Sequence, residues 1–254
     1  MKHTRYTVPA LFARESGVVA LESTRNGGVS EGAYASLNLG NNTGDLPERV
    51  SENTSLLALD AGIDPKRLVS SVQVHGTQIL KAEAPGHYHG YDAFITSEKE
   101  LYLCILTADC YPVLIYDPRH PAVGAAHAGW KGSAGEIVRK TVEAMHREFS
   151  TQPSECLAYI GTGISGAAYE VDKAVAEAFR PEFSRPSPRS GGEKKCLLDL
   201  QMVNFRQLTE AGIPAAQIAR SSWCSSRDRE LFFSYRRDNG DTGRMLTLIG
   251  LRSG

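Results

Sequence analysis

The sequence predicts an α/β fold, a single domain with a mixed β-sheet flanked by helices, and three observations lead to that prediction. Short apolar runs typical of strands outnumber the helical segments. Strands and helices do not alternate strictly, as they would in a purely parallel sheet. The 254 residues are 41% hydrophobic and 22% charged, which is a globular composition, and no repeat or linker divides them. We therefore expect one domain over residues 1–254.

The first 96 residues predict four strands and one helix. Pro47 stands near a typical helix start and Gly62 at a typical helix end. The polar stretch 83–92 predicts a loop, and residues 77–82 are expected to pair back onto the strand before them. The predicted strands are residues 18–23, 67–74, 77–82 and 93–96.

The central segment predicts three strands and an amphipathic helix. An apolar run over residues 103–117 breaks at Ala108-Asp109-Cys110, which indicates two strands that meet at a site. Residues 122–128 predict the next strand. Ser133 and Glu136 match a Ser-x-x-Glu capping box before a helix over 137–149. The predicted buried face of that helix consists of Val138, Val142, Met145 and Phe149.

The C-terminal segment predicts further strands and one more helix. Residues 181–195 are rich in Pro, Gly and Ser and predict a loop, and Asp199 is the expected cap of a helix over 200–212. The glycines of residues 161–166 match Gly-x-Gly-x-x-Gly, but a strand rather than a helix follows them, which argues against a dinucleotide site. The predicted strands are residues 156–161, 167–172 and two within 231–251.

Charge and cysteine usage exclude several classes of partner. The net charge is −1 and no long Lys/Arg block occurs, so we expect no nucleic-acid partner. No secretory signal and no apolar stretch of about 18 residues is recognisable, so we expect no membrane association. The five cysteines are odd in number and form no Cys-x-x-Cys pair, which favours reduced thiols in the cytoplasm.

Three residues could form a metal site. His75, Cys110 and His127 each stand at the end of an apolar strand-like run, and strand ends converge at one edge of a sheet. One thiolate and two imidazoles with an open fourth position are typical of a catalytic zinc centre. A lone histidine at a strand end is more often a hydrogen-bonded core residue, so the spacing by itself leaves both interpretations open.

Three charged residues are further candidates, each with a simpler alternative. Asp109 could accept a proton or orient a ligand imidazole, or it could only form a turn. Arg25 lies in a glycine-rich loop and could bind an anion, although a surface arginine is the simpler interpretation. Glu170 could be a partly buried carboxylate, or an ordinary residue on a solvated strand face.

These segments resemble one family, the YfiH-type proteins, also described as laccase-like or multicopper polyphenol oxidoreductases. The resemblance covers roughly residues 18–250. Two departures are "GTGI", where the family commonly has Gly-Pro, and a slightly longer "DNGDTGR". The matching blocks, in family order, are "STRNGGVSEGAYASLNLGNNTGD", "QVHGT", "TADCYPVLIYD", "AAHAGWKG", the stretch from Gly161 to Val171, and "FFSYRRDNGDTGRM".

The resemblance implies a function and a set of ligands. The family's metal ligands correspond to His75, Cys110 and His127, and its fold is one α/β domain with a mixed sheet. Members are described as zinc-dependent purine nucleoside phosphorylases acting on adenosine, inosine and methylthioadenosine, with adenosine deaminase activity. The partners would be a small-molecule nucleoside and phosphate.

Nucleoside chemistry assigns roles to the remaining candidates. Asp109 or Glu170 would be the catalytic carboxylate that moves protons. Arg25 and Lys131 are candidates for binding phosphate, and Asn38 for binding substrate hydroxyls. The sequence leaves the oligomeric state open.

Other functions remain open at this stage. A copper-dependent polyphenol oxidase is one, because a site of one Cys and two His also binds copper, although seven histidines are few for a multicopper enzyme. A Cys-His hydrolase would use Cys110 as nucleophile, His127 as base and Asp109 to orient the base. A non-enzymatic metal-binding protein is the simplest alternative.

Overall fold

The structure, a computed structural model, describes residues 4–188 and 194–253 and confirms the mixed α/β class. Within these residues the strands divide among three sheets rather than forming a single mixed sheet. Two sheets have six strands each, and a small sheet has three.

The described residues contain five α-helices and fifteen strands. The helices are α1 (Pro47–Ala61), α2 (Trp130–Ala134), α3 (Ile137–Phe149), α4 (Lys173–Ala176) and α5 (Leu200–Glu210). The strands are β1 (Tyr6–Thr7), β2 (Val18–Ser23), β3 (Leu68–Val72), β4 (Ile79–Lys81), β5 (Gly86–His89), β6 (Ala93–Thr96), β7 (Tyr102–Thr107), β8 (Tyr111–Asp117), β9 (Ala122–Ala128), β10 (Leu157–Ile160), β11 (Glu170–Asp172), β12 (Ser184–Pro186), β13 (Lys195–Leu198), β14 (Ile218–Arg220) and β15 (Met245–Leu251).

Each large sheet combines parallel and antiparallel pairs. The first sheet has the order β1-β2-β15-β7-β3-β5, and β3 runs parallel to both β5 and β7. The second has the order β14-β10-β8-β9-β6-β4, with parallel pairs at its two outer edges. The third sheet, β11-β13-β12, is antiparallel.

The two large sheets pack face to face around a shared apolar core. Leu103 and Ile105 of β7 meet Leu114 of β8 and Val123 of β9 between the sheets. Helix α1 covers the outer face of the first sheet, and α3 and α5 cover the outer face of the second. Burial on both faces explains why these strands are continuous apolar runs.

The predicted helices are confirmed, although one predicted cap is wrong. Gly62 ends α1 with φ 66°, a left-handed conformation that glycine adopts readily. The side chain of Asp199 caps α5 by accepting from Met202 N at 3.0 Å. Ser133 does not cap α3, because it lies buried in α2 and its hydroxyl donates to Asn204 Oδ1 instead. No helix in the described ranges is long and apolar enough to cross a bilayer.

The predicted face of α3 is confirmed. Its four apolar residues follow one another at intervals of about one turn and pack on the second sheet, three of them fully buried and one partly. They are Val138, Val142, Met145 and Phe149.

The predicted pairing of residues 77–82 is wrong. Strand β4 pairs in parallel with β6 in the second sheet and does not return along β3. The polar stretch 83–92 is not only a loop, because it contains β5, which pairs in parallel with β3. The sequence did not predict this edge strand because its residues are mostly polar. Exposed positions of an edge strand need no apolar side chains, so the usual pattern is missing.

Two further predictions near the C-terminus differ from the structure. Residues 181–195 contain β12 and the start of β13, although residues 189–193 lie outside the described part. Residues 231–233 do not form a strand, and β15 alone follows them. Phe232 and Phe233 are nevertheless buried, in a small cluster with Met245, which accounts for the apolar run.

Candidate active site and metal centre

Pairing within the second sheet brings Cys110 and His127 together. Cys110 immediately precedes β8, and β8 pairs with β9, which carries His127. His75 approaches from the turn after β3 of the first sheet. One donor atom from each of the three residues lies within 4.8 Å of the others, and the two imidazole rings meet edge to face at 4.8 Å between centroids. The three residues that the sequence predicts to converge from strand ends therefore lie in one cluster.

The buried carboxylate of Asp92 organises both histidines. Its Oδ1 lies 2.8 Å from His127 Nδ1 and accepts from His75 N at 2.9 Å, and its Oδ2 accepts from Val74 N and Gly76 N at 3.1 and 2.7 Å. A carboxylate only accepts, so Nδ1 of His127 donates and Nε2 is left for a ligand. Burial raises the pKa of Asp92, but these bonds outweigh it and the net direction is down.

The site has backbone features that a fixed ligand geometry requires. His75 and Asp109 have φ of 60° and 91°, a left-handed region that costs a residue with a side chain of order 1–3 kcal/mol. A Cβ on Gly129 would lie 2.8 Å from Cys110 Sγ and 3.1 Å from the His75 ring. Only glycine leaves room there for the converging donors.

The three donors form a strongly coupled electrostatic group. Burial raises the pKa of the Cys110 thiol, but the neighbouring imidazoles of His127 and His75 outweigh it and lower that pKa to about 6. Burial lowers the pKa of His127, but the Cys110 thiolate and Asp92 raise it to about 9. Thiolate and imidazole donors suit zinc or copper, so the residues present fit a metal ion.

A cavity of about 480 Å³ opens over the three donors. Its walls come from the ends of β3 and β7, the loop before α1, and the segments around Tyr169 and Tyr235. Among the lining residues are two arginines, Arg236 and Arg244, which the sequence analysis did not select. A concave site with a few convergent polar groups is typical of a small-molecule pocket.

Each arginine is held in place by a tyrosine and a carbonyl. The Arg236 guanidinium lies 5.1 Å from the Tyr169 ring centroid and donates to Glu170 O. Arg244 lies 5.6 Å from the Tyr235 ring and donates to the carbonyl oxygens of residues 242 and 243. A guanidinium has five N–H donors, so these contacts orient it and leave donors for an anion. Burial lowers the pKa of Arg244, although nearby groups including Cys110 and Asp109 oppose this.

Asp109 lines the cavity with both carboxylate oxygens already occupied. Oδ1 accepts from Ser225 Oγ at 2.6 Å and Oδ2 accepts from Arg236 N at 2.7 Å. Its backbone oxygen also accepts from Ile164 N at 2.9 Å. Asp109 therefore connects the loop of the thiol ligand to the segment that carries Arg236.

The other predicted site residues lie outside the cavity lining. Glu170 Oε2 accepts from Ser187 Oγ, and Lys131 is exposed beside the Trp130 ring. Arg25 donates to backbone carbonyls, including Ala35 O, in a separate cleft.

Asn38 is fully buried in the loop before α1. Its Oδ1 accepts from Gly40 N and Arg244 N at 3.0 and 2.9 Å. Its Nδ2 donates to Thr43 Oγ1 and Asp45 Oδ2, each at 3.0 Å. Asn38 therefore acts on the cavity through Arg244.

The residues that sequence reasoning missed carried weak signals. Asp92 directly precedes the strand at 93–96, a position comparable to the strand ends that were considered. Arg236 and Arg244 lie in the block "FFSYRRDNGDTGRM", which was used only to recognise the family. The residues near this block do not indicate that it folds over the three donors. The side chains that hold it there, Asp109 and Asn38, are distant from it in sequence.

Comparisons with known proteins agree with the fold and identify a family. The family model described as "Multi-copper polyphenol oxidoreductase laccase" matches residues 19–252. A Deinococcus radiodurans protein named purine nucleoside phosphorylase is 41% identical over 244 residues, which cover 96% of this chain and 93% of that protein. The Escherichia coli protein named purine nucleoside phosphorylase YfiH is 38% identical over 243 residues, covering 94% and 96%. The crystal structure of Bacillus licheniformis YfiH superposes with a TM-score of 0.92 at 34% identity, covering 98% of this chain and 97% of that one.

Replacing Asp92 with Asn should weaken metal binding by roughly 10- to 100-fold, because His127 loses its carboxylate acceptor and the turn that carries His75 loses an anchor. Zinc affinity measured by competition with a chelator tests this. Asp117→Asn is the matched control, since Asp117 is equally buried and also accepts from backbone N–H groups, at the far end of β8. Equal affinities in the two variants would contradict the role of Asp92.

Cys110 should react with iodoacetamide in the metal-free protein at neutral pH. Its lowered pKa means that the thiolate, the reactive form, predominates above about pH 6 and is lost as the pH falls below it. Cys104 is the internal control, because burial raises its pKa to about 12. Peptide mass spectrometry should find Cys110 alkylated, Cys104 intact, and Cys110 protected after zinc addition. Unprotected Cys110 would argue that the thiol is not a metal ligand.

Proposed function

The chain belongs to the family described as multi-copper polyphenol oxidoreductase laccases, and from that premise we propose that it is a purine nucleoside phosphorylase with one zinc ion on His75, Cys110 and His127. Relatives similar over nearly their whole length carry the phosphorylase name. The observation that carries the proposal is one cavity that combines a three-donor metal site with two oriented arginines. The proposed substrates are adenosine, inosine and methylthioadenosine, with inorganic phosphate.

The reaction is a displacement at the ribose. A phosphate oxygen bonds to C1′ while the C1′–N9 bond breaks, and the purine leaves with the electron pair and takes up a proton. The products are the free base and ribose 1-phosphate, or 5-methylthioribose 1-phosphate when methylthioadenosine is the substrate. Positive charge that holds phosphate near C1′ supplies most of what such a reaction needs, since positioning replaces a bimolecular encounter.

Arg236 and Arg244 are the groups that we propose bind phosphate. Both guanidiniums are held by a tyrosine ring and a carbonyl, so little conformational freedom is lost on binding. A divalent ion on His75, Cys110 and His127 supplies a Lewis acid and further positive charge in the same cavity. Phosphate would therefore bind at this cationic end.

The nucleoside orientation follows from the displacement geometry. Phosphate and base must lie on opposite sides of C1′, so the purine extends away from the cationic end. We place the purine against the part of the cavity wall that contains Asn41, His87 and Leu106. His87 of β5 pairs with Ser70 of β3. Ser70 lies five residues before His75, so His87 is distant from His75 along the strand direction.

Asp109 is proposed to position groups during phosphorolysis. Its two occupied oxygens support the backbone of Arg236 and the hydroxyl of Ser225, and Cys110 follows it directly. Adenosine deamination, which the family resemblance also implies, needs a carboxylate that exchanges protons with the substrate. Phosphorolysis stands first because the relatives carry the phosphorylase name.

Two other functions are less well supported. A multicopper oxidase needs several copper sites, whereas residues 4–188 and 194–253 contain one group of three converging His, Cys or acidic ligands. A Cys-His hydrolase gains a specific observation, because Asp92, rather than Asp109, orients His127 beside Cys110. The second imidazole of His75 at the same sulfur favours a metal site over a nucleophile.

The five free cysteines fit the cytoplasm, where we propose that the enzyme acts.

Zinc-loaded protein should convert adenosine and inosine to free base and ribose 1-phosphate only when phosphate is present, as measured by chromatography. Cys110→Ala should lose zinc and lower the rate at least 100-fold, because one of three protein ligands is removed. Cys196→Ala, a half-buried cysteine outside the cavity, is the matched control. Phosphate-independent inosine from adenosine would indicate deamination, and no turnover of any purine nucleoside would contradict the proposal.

Arg236→Ala and Arg244→Ala should each raise the KM for phosphate by about 10- to 100-fold, since a hydrogen bond to a charged group contributes about 1.5–3 kcal/mol. Arg206→Ala, an exposed arginine on α5, should behave like the unaltered protein. Lys131→Ala tests the alternative that Lys131 binds phosphate. A rise in the phosphate KM only in Lys131→Ala would overturn the assignment to the two arginines.

A further inference from the structure

A second pocket, of about 350 Å³, adjoins the catalytic cavity on the outer face of the first sheet. Its floor is formed by outward-facing side chains of three adjacent strands: Leu68 of β3, Cys104 and Leu106 of β7, and Leu246 of β15. Leu106 and Leu246 are direct cross-strand partners. Its walls include Thr54 of α1 and the segments around residues 39–41, 65–66 and 85–87.

The two pockets share part of their lining. Asn41, His87 and Leu106 line both of them, so they form the boundary between the catalytic cavity and the second pocket. The His87 ring contacts Ser70 at this boundary, with its Nδ1 2.8 Å from Ser70 Oγ. Strand register separates two of these boundary residues from the three donors, because His87 pairs with Ser70, five residues before His75, and Leu106 lies four residues before Cys110. The proposed orientation directs the purine toward this boundary.

The floor of the second pocket suits an apolar group. Leu68 and Leu106 are only partly buried although they pack on the core beneath α1, so each leaves apolar surface facing the pocket. A ligand that covers this surface gains roughly 25 cal/mol per Å² of apolar area removed from water. Lys66 is the one formal charge among the described side chains of the lining, and it is exposed.

We propose that this pocket binds an apolar substituent on the six-membered ring of the purine, so that the enzyme accepts 6-substituted purine nucleosides such as N6-alkyl- and N6-benzyladenosine. The inference rests on the proposed phosphorylase function and its substrate orientation. The six-membered ring is the part of the purine farthest from the C1′–N9 bond, so a substituent at position 6 reaches past Asn41, His87 and Leu106. The bond broken is the same C1′–N9 bond, and the substituted base leaves unchanged.

The test is to fill the pocket from a wall that does not line the catalytic cavity. Thr54 is half-buried on α1 and lines only the second pocket, and its hydroxyl bonds within its own helix to Val50 O. Ser55, the next residue, bonds in the same way to Ser51 O but faces solvent. Thr54→Trp and Ser55→Trp therefore add similar bulk to one helix, in the pocket and outside it.

In Thr54→Trp, kcat/KM for N6-benzyladenosine should fall by roughly 10- to 200-fold, the range over which apolar pockets discriminate one apolar group. The value for adenosine should stay within twofold, and Ser55→Trp should leave both substrates unaffected. Calorimetric binding of N6-benzyladenine should weaken by the same factor in Thr54→Trp alone. Thr54→Phe gives a smaller filling if the tryptophan lowers the melting temperature, and the same selective loss is then expected.

Three outcomes overturn the inference. Equal kinetics of Thr54→Trp and Ser55→Trp on N6-benzyladenosine would show that the substituent does not enter the pocket. A selective loss with 5′-benzylthioadenosine instead would assign the pocket to the ribose side. Equal binding of N6-benzyladenine in both variants would exclude the pocket as its site. If no nucleoside is turned over but base binding still depends on Thr54, the phosphorylase function fails and the pocket assignment stands.

Discussion

The site depends on one buried carboxylate, that of Asp92. Four hydrogen bonds reach its two oxygens, three from successive backbone N–H groups of residues 74–76 and one from the His127 ring. Through them a turn after a strand of the first sheet is tied to a strand of the second sheet. These bonds stabilise the left-handed backbone of His75. A carboxylate without protons accepts all four bonds at once, which no neutral side chain of this size can do.

Asp109 performs the corresponding task on the other side of the metal site. It precedes the thiol ligand, has a left-handed backbone, and accepts from a serine hydroxyl and from Arg236 N. The segment that carries the two arginines has little regular secondary structure before β15, so side-chain acceptors replace ladder hydrogen bonds in fixing it. Asn38 does the same for Arg244 from the N-terminal loop. Asp92, Asp109 and Asn38 thereby connect the three converging donors with the segment that carries the two arginines.

Two adjoining pockets differ in chemical character. The thiol, imidazole and guanidinium groups line the first cavity, and leucine side chains line the second pocket on the outer face of the first sheet. Such a gradient from charge to apolar surface suits a ligand with an anionic partner at one end and a flat base at the other. One three-donor site in the described residues fits mononuclear metal chemistry, although the family description names several coppers.

The sequence by itself determined the α/β class, the main helices, most of the buried strands and the candidate ligands His75, Cys110 and His127, because each is encoded by local periodicity or by a position next to an apolar run. Tertiary structure decided the rest. The division into two packed sheets, the polar edge strand β5 and the pairing of β4 with β6 depend on partners distant in the chain. Asp92, Arg236 and Arg244 join the site through hydrogen bonds and ring contacts to residues as many as 206 positions away. Local propensity contains no information on such contacts, because their energy exists only once both segments have folded.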